Sequence, residues 1–172
     1  MTKVKQPTDI VRLRQIDSAA TDEEVTKRIF DILGWEIFEY KDAIVEWDEN
    51  EEEIIVEIPF YGVKMADGTR YYKGTPFVEE IYEYVNACSH GFLPIMLDYI
   101  SKMDNCMLNI SVLQGASCVM YMPQPYFFNS TIMCPDLKSL PRAVAELLIQ
   151  ASDYIQDYKK KAEAEGVSYS QN

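Results

Sequence analysis

The residues best suited to nucleophilic catalysis lie together in the segment Cys88-Ser89-His90. His90 is the single histidine of the chain, so a serine or cysteine nucleophile would depend on it as the general base. Neighbouring residues at the end of a helix point in different directions, and the sequence contains no GxSxG motif. We therefore interpret His90 as a structural residue and predict a protein without catalytic residues.

Carboxylates and thiols are the other groups that could carry chemistry. The segment 46–53, EWDENEEE, offers many carboxylates, but a run of this kind is typical of a solvated loop, and nothing selects two members as acid and base. The four cysteines are separated by 18, 12 and 16 residues, which fits no zinc motif. We predict buried free cysteines, no metal site and no cofactor.

A basic and aromatic cluster is the candidate site for a small, nucleotide-like anion. The segment GTRYYKGTP leads into a helix predicted to begin near Pro76, and helix N-termini attract phosphate. Flanking cations and aromatic rings could also stack on a base. An ordinary hairpin with cross-strand tyrosine pairs and solubilising bases is the alternative. The residues assigned to this candidate site are Arg70, Tyr71, Tyr72, Lys73, Ser139 and Arg142.

The formal charge of −12 is concentrated in one part of the chain. Residues 21–60 hold fourteen acids against three bases, whereas residues 1–20 carry +2. Direct binding to nucleic acid is disfavoured, because its phosphates attract Lys and Arg. A basic protein is the partner that this charge would attract. The candidate interface residues are Glu51, Glu52 and Glu53, and simple solvation is the alternative interpretation of their charge.

An aromatic segment, PQPYFFNSTIMCP, is predicted to be an irregular loop over residues 123–135. If its apolar side chains are exposed, they would form an interface, most simply that of a symmetric homo-oligomer. If they are buried, they complete the core. The residues in question are Tyr126, Phe127, Phe128 and Met133.

Hydrophobic periodicity indicates the elements that carry these residues. Thr21 and Glu24 form a capping box for a helix over residues 22–33, which Gly34 ends. Residues 35–73 alternate as strands around an Asp67-Gly68 turn. A second helix follows Thr75, and a third is predicted from the apolar stripe between residues 93 and 103. Two further strands lie between 107 and 122, and a final helix of about five turns begins near Pro141.

Together these elements predict an α+β fold, with an antiparallel sheet of about five strands layered with helices and a long C-terminal helix. We expect a flexible arm at residues 1–20, a single domain at 21–166 and a disordered tail at 167–172. No run approaches the roughly 18 apolar residues of a membrane helix, and the N-terminus has no signal-peptide core. We therefore expect no membrane association and a cytoplasmic location.

Three short motifs resemble a known family. Leu33-Gly34-Trp35, the segment LPIMLDYISKMDNCMLNISVL and the helix start SLPRAVAELLIQA are similar to motifs of the phage ABA sandwich domain, over residues 22–35 and 92–151. The resemblance implies a sheet layered between helices and a phage or prophage origin. It implies no established catalytic activity.

The expected function is therefore binding. We expect a non-enzymatic phage accessory protein that counters a bacterial anti-phage defence, either by sequestering a small nucleotide-like signal or by capping a host protein. The alternative is a structural or regulatory phage oligomer with an acidic protein-interaction surface and no small ligand.

Overall fold

The computed structural model describes residues 12–17, 19–111, 116–123 and 125–164. Within them the chain forms two compact units, one of residues 21–87 and the other of residues 12–20 with 88–164. The elements in chain order are β1 (Arg12–Gln15), α1 (Asp22–Leu33), β2 (Glu36–Trp47), β3 (Glu53–Lys64), β4 (Arg70–Thr75), α2 (Ile81–Tyr84), α3 (Leu93–Ser101), β5 (Met107–Ser111), β6 (Ala116–Met122), β7 (Phe128–Cys134) and α4 (Leu140–Ala164).

Helix α1 opens the 21–87 unit, and its predicted boundaries are confirmed. The Thr21 hydroxyl accepts a hydrogen bond from the Glu24 N–H, and the Glu24 carboxylate accepts one from the Thr21 N–H. Gly34 ends the helix with a φ of 68°, a left-handed conformation in which a side chain is strained. The buried apolar residues of this unit are Val25, Ile29, Phe30, Leu33, Trp35, Val63, Ile81, Val85 and Ala87.

The sheet of this unit has the order β2-β3-β4 and is antiparallel. The second helix is shorter than predicted: Val78–Glu80 form a 3-10 turn and α2 ends at Tyr84. The chain leaves the helical path at Val85, and the Ala87 N–H then donates to the buried Thr26 hydroxyl at 3.0 Å. Tertiary contact with α1 thus replaces the last helical turns.

The other unit places helices on one sheet of order β1-β7-β6-β5. Strands β5, β6 and β7 are antiparallel, while β1 pairs with β7 in parallel. Helix α4 packs on β6 and β7, and α3 contacts α4 and β5. The buried core of this unit includes Cys118, Met120, Met122, Ile132, Val144, Leu147 and Leu148.

The single sheet of about five strands is not confirmed: seven strands form two sheets in the described part of the chain. One reason is the segment Phe128–Cys134, which we expected to be irregular and which is the central strand β7. Its β-branched residues Thr131 and Ile132 are buried between β1 and β6, where such side chains pack well. The α+β class and the long C-terminal helix are confirmed.

Residues 12–20, predicted as a flexible arm, include strand β1 and a hydrogen-bonded segment. Arg142 donates from Nη2 to the carbonyls of Asp17 and Ala20, at 3.0 and 2.8 Å. The Glu146 carboxylate accepts the Asp17 N–H at 3.0 Å. Helix α4 therefore holds this segment through two charged side chains. Residues 1–11 and the predicted tail, 167–172, lie outside the described residues.

Candidate functional site

Strands β2 and β3 form a hairpin that extends well past the third strand of their sheet. They pair without interruption from Glu36 with Lys64 to Trp47 with Glu53, whereas β4 pairs with β3 only between Tyr61 and Lys64. The outer part of the hairpin, residues 42–58, is therefore a two-stranded ribbon in the described structure. We call residues 42–58 the acidic ribbon.

The acidic ribbon carries apolar side chains on both faces. Cross-strand partners share a face, so the pairing of Val45 with Ile55 and of Trp47 with Glu53 places Val45, Trp47 and Ile55 together. All three are exposed, Trp47 at 67% and Ile55 at 76%. The opposite face carries the pair Ile44 and Val56 with the exposed Ile54. Exposed apolar residues grouped in this way are typical of an interaction surface.

The charge of the ribbon is of one sign. Residues 42–58 contain eight carboxylates and no lysine or arginine. At the tip Glu51, Glu52 and Glu53 are all exposed, as expected for the predicted acidic interface. The apolar face of Val45, Trp47 and Ile55 is therefore bordered by negative charge, which favours a partner that is apolar at its centre and basic at its rim.

Asp48 organises the turn at the tip of the ribbon. Its Oδ1 accepts the N–H groups of Asn50 and Glu52 at 2.8 and 2.9 Å. These hydrogen bonds hold the pKa of Asp48 below its ordinary value of 3.8, and the bond from Glu52 contributes most. The turn also places Glu51 at a φ of 62°, in the left-handed region. A defined turn keeps the two strands in register and presents the glutamates at a fixed place.

An aromatic layer supports the base of the ribbon. The Phe38 ring lies over Gly62, where an added Cβ would be 2.9 Å from the ring. The Tyr40 ring covers Gly74 in the same way, and its hydroxyl donates to the Lys73 carbonyl at 2.7 Å. Rings that cover glycines compensate for the missing side chains and tie the three strands together.

The predicted ligand residues of β4 belong partly to this layer. The Arg70 guanidinium lies 5.0 Å from the Phe38 ring centre and 5.2 Å from that of Tyr40. Tyr71 packs against Trp35 with ring centres 4.7 Å apart, and Tyr72 stacks on Tyr84 at 5.5 Å. Burial raises the pKa of Tyr72. These contacts favour the hairpin interpretation of the segment, and the Lys73 side chain is exposed.

Ser139 and Arg142 belong to the other unit. The Ser139 hydroxyl donates to Asp136 at 2.8 Å, so it helps cap the 3-10 turn before α4. Arg142 is 8% exposed, and all three guanidinium nitrogens have protein partners: Glu146, Cys88 and the carbonyls described above. Arg142 therefore serves the packing of its own unit, and the structure offers no reason to retain it in a ligand site.

The predicted aromatic interface divides into buried and exposed members. Phe128 is buried against Tyr154, and Tyr126 contacts the Tyr158 ring edge-on, each at 5.4 Å between ring centres. Phe127 and Met133 are exposed, at 54% and 45%. Phe127 has a φ of 50°, which is rare for an aromatic residue. Phe128 is therefore part of the core, whereas Phe127 and Met133 are exposed and their role in an interface stays a prediction.

The sequence reasoning missed the apolar half of the acidic ribbon. Its period of two places Ile54, Val56, Ile58 and Phe60 on one face, and it treated EWDENEEE as a polar loop. The signal that was available is the run Ile54-Ile55-Val56, because consecutive apolar residues in a strand occupy both faces. In a two-stranded ribbon one of these faces must be exposed.

Other kinds of site are not evident in the part of the chain that the structure describes. His90 is exposed in the turn before α3. The described ranges contain no group of three histidine, cysteine or acidic side chains suited to a metal ion. Among the helices described there, none is both long and apolar enough to cross a membrane.

Comparison with known proteins finds no matching family model. No curated protein and no solved structure matches the chain either. The functional argument therefore depends on the geometry of the chain itself.

Proposed function

We propose that this protein acts by binding, and that the acidic ribbon caps a basic surface of a protein partner. The observation that carries this proposal is the exposed group Val45, Trp47 and Ile55 within a segment of eight carboxylates and no base. Tryptophan is among the residues that contribute most to binding energy when they become buried in an interface. Carboxylates around it would speed association with a basic partner and oppose association with an acidic one.

The geometry favours capping of a protein over sequestering of a small nucleotide-like signal. Arg142 is committed to Glu146 and to backbone carbonyls, and Arg70 lies on two aromatic rings. The remaining cation of the predicted cluster is Lys73, which is exposed. The resemblance to phage ABA sandwich proteins supports the setting that we propose for this binding: a phage accessory protein that counters a host defence in the bacterial cytoplasm.

The test is affinity capture from bacterial extract with identification of the captured proteins by mass spectrometry. Wild-type protein is compared with Trp47→Ala/Ile55→Ala and with Glu51→Gln/Glu52→Gln/Glu53→Gln. The matched control is Asp104→Asn/Asp157→Asn/Glu163→Gln, which removes three exposed carboxylates of the other unit. We expect a basic partner that is captured by wild type and control, lost with Trp47→Ala/Ile55→Ala, and weakened by the glutamate changes.

Two results would contradict the proposal. A partner retained equally by all four proteins would bind elsewhere. A partner that is acidic, or whose binding strengthens as salt rises from 50 to 500 mM, would not be held by the charge of the ribbon, since exposed charges are screened by salt.

A homo-oligomer is the second candidate, favoured by Phe127 and Met133. A strained backbone at an exposed aromatic residue suggests that the residue serves an interface. Analytical ultracentrifugation at micromolar concentration tests this. A dimer that Phe127→Ser converts to monomer would support it, and a wild-type monomer would exclude it at that concentration.

A further inference from the structure

The outer edge of β2 is long and continuous. In the sheet order β2-β3-β4, β2 is an edge strand, and no strand among the described residues pairs with its outer side. It runs for twelve residues, Glu36–Trp47, without a proline or a shift of register. Natural edge strands are usually short, bulged, or interrupted by proline and lysine, because their unpaired N–H and C=O groups can bind another strand.

The pairing pattern identifies which groups point outward. The Asp48 N–H donates inward to the Glu52 carbonyl at 3.0 Å. Antiparallel pairs alternate between hydrogen-bonded and non-hydrogen-bonded, so the odd-numbered residues of β2 direct their N–H groups to the outer edge. The Ala43 N–H fits this assignment, because it donates to the Asp42 carboxylate at 2.9 Å instead of to a carbonyl of β3. The remaining outward N–H groups along the strand belong to Ile37, Glu39, Lys41, Val45 and Trp47.

The outer sides of β2 and β3 differ at one residue next to the acidic ribbon. Pro59 is the partner of Lys41 and therefore faces the outer side of β3. Proline has no N–H group, so it interrupts the donors on that side. The edge of β2 has no proline, and of its outward N–H groups that of Ala43 donates to the neighbouring Asp42 side chain. The edge of β2 is therefore the one better suited to accept another strand.

We propose, building on the function proposed above, that the outer edge of β2 accepts an extended segment of the basic partner as an added antiparallel or parallel strand. Main-chain hydrogen bonds to the outward groups provide affinity in this mode, and alternate side chains provide specificity. The added strand would meet Val45 and Trp47 on one face and Asp42 and Glu46 on the other. A segment that alternates apolar and basic residues fits this pattern.

The negative charge of the acidic ribbon favours a basic segment over a second copy of the chain at this edge. Two β2 strands paired with each other would bring together two ribbons of eight carboxylates each. Like charges in neighbouring positions of a sheet are destabilising, whereas opposite charges stabilise it. The basic segment is therefore the occupant that we assign to this edge.

The test uses a synthetic twelve-residue peptide of alternating lysine and valine, titrated into the full chain. Trp47 is exposed and Trp35 is buried, so the change in tryptophan fluorescence on binding reports mainly on Trp47. A second peptide of the same sequence carries N-methyl groups at every other residue on the edge that would face β2. It keeps the charge and side chains but removes the main-chain donors on that edge.

Two protein variants complete the design. Val45→Pro removes one outward N–H donor and leaves the hydrogen bonds to β3 in place. Val45→Ala keeps that donor and shortens the side chain, so it measures the contribution of the side chain alone. Circular dichroism establishes that each variant is folded. We expect affinity to fall at least about tenfold for Val45→Pro relative to Val45→Ala, and for the N-methylated peptide relative to the unmodified one, which is the effect of losing about 1.4 kcal/mol.

Each other outcome overturns strand addition. If both peptides bind equally and binding weakens with salt, the ribbon attracts basic chains by charge, and the proposed capping function stands without the added strand. If neither peptide binds while affinity capture still yields a ribbon-dependent basic partner, the partner uses a folded surface. If neither peptide nor any basic partner binds, both proposals fail. If the protein is instead a dimer that Val45→Pro dissociates, a second copy occupies the edge.

Discussion

Two isoleucines, one in each sheet, differ in how far their side chains are buried. Ile132 lies on β7, flanked by β1 and β6, and is fully buried. Ile55 lies on β3 in the acidic ribbon, where β4 does not reach, and is 76% exposed. Ile55 lies in an antiparallel ladder, while Ile132 pairs antiparallel with β6 and in parallel with β1. The difference comes from helix α4, which packs on β6 and β7 and has no equivalent over the ribbon in its own unit. An uncovered strand with this composition is suited to binding, while a covered one is suited to stability.

The largest predicted loss of stability distinguishes a buried arginine, Arg142, from an exposed one, Arg70. Arg142→Ala would leave the buried Glu146 carboxylate and the carbonyls of Asp17 and Ala20 without their cation. Removing one member of a buried pair costs about 3–5 kcal/mol. Arg70→Ala removes only exposed contacts with Phe38 and Tyr40, worth about 0.5–1 kcal/mol. Urea unfolding of both variants measures the difference.

A double variant serves as the control for this prediction. Arg142→Leu/Glu146→Leu removes both charges, so it is expected to be more stable than Arg142→Ala. Equal stability of Arg142→Ala and Arg70→Ala would show that the Arg142 contacts do not hold residues 17–20 in solution.

The two isoleucines provide the next prediction. Ile132→Ala leaves a cavity in a packed sheet and is expected to cost about 2–5 kcal/mol. Ile55→Ala, the same change at an exposed site, should alter the free energy of unfolding by about 0.5 kcal/mol or less. Chemical denaturation gives both values. A loss of several kcal/mol for Ile55→Ala would mean that the outer ribbon is covered in solution.

Alkaline pH should affect the helix-covered unit. Burial, with a smaller contribution from Cys134, raises the pKa of the Cys118 thiol from 9.0 to about 12. A raised pKa contributes stability that is complete below the unfolded value and is lost as pH rises through the folded value. Stability should therefore fall between about pH 9 and 12, and Cys118→Ala should reduce that slope. Thermal melts across this range provide the measurement.

Thiol reactivity gives an independent check on the same residue. Thiolate is the reactive form, so a thiol reagent at pH 8 should modify Cys118 only after unfolding. Rapid modification of Cys118 in the folded protein would contradict its burial.

Acidic pH should weaken the hydrogen bonds of the turn at the tip of the ribbon, and this is the smallest of the expected effects. The pKa of Asp48 is lowered in the folded protein, so its contribution is present above the unfolded value of 3.8 and is lost as pH falls below it. Protonation weakens the bonds from Asn50 and Glu52. Measured relative to the intrinsic exchange rate at each pH, the amides of those two residues should lose protection in wild type as pH falls below 3.8 and should already lack it at pH 7 in Asp48→Ala. Unchanged exchange would show that the turn does not depend on the carboxylate.

The sequence by itself determined the local elements. The capping box at Thr21 and the glycine at 34 set α1, and a long apolar stripe set α4, because caps and periodicity act between residues a few positions apart. The excess of acid in residues 21–60 is likewise a property of composition. The α+β class follows from such local signals.

Only the tertiary structure decided which surfaces these elements cover. It paired β1 with β7 across more than a hundred residues, turned an expected loop into a central strand, and committed Arg142 to carboxylate and carbonyl partners. It also left Val45, Trp47 and Ile55 uncovered by ending the β3–β4 pairing at Tyr61. The physical reason is that the burial of an apolar side chain depends on what packs against it. That is fixed by contacts between distant parts of the chain, which the spacing of neighbouring residues does not encode.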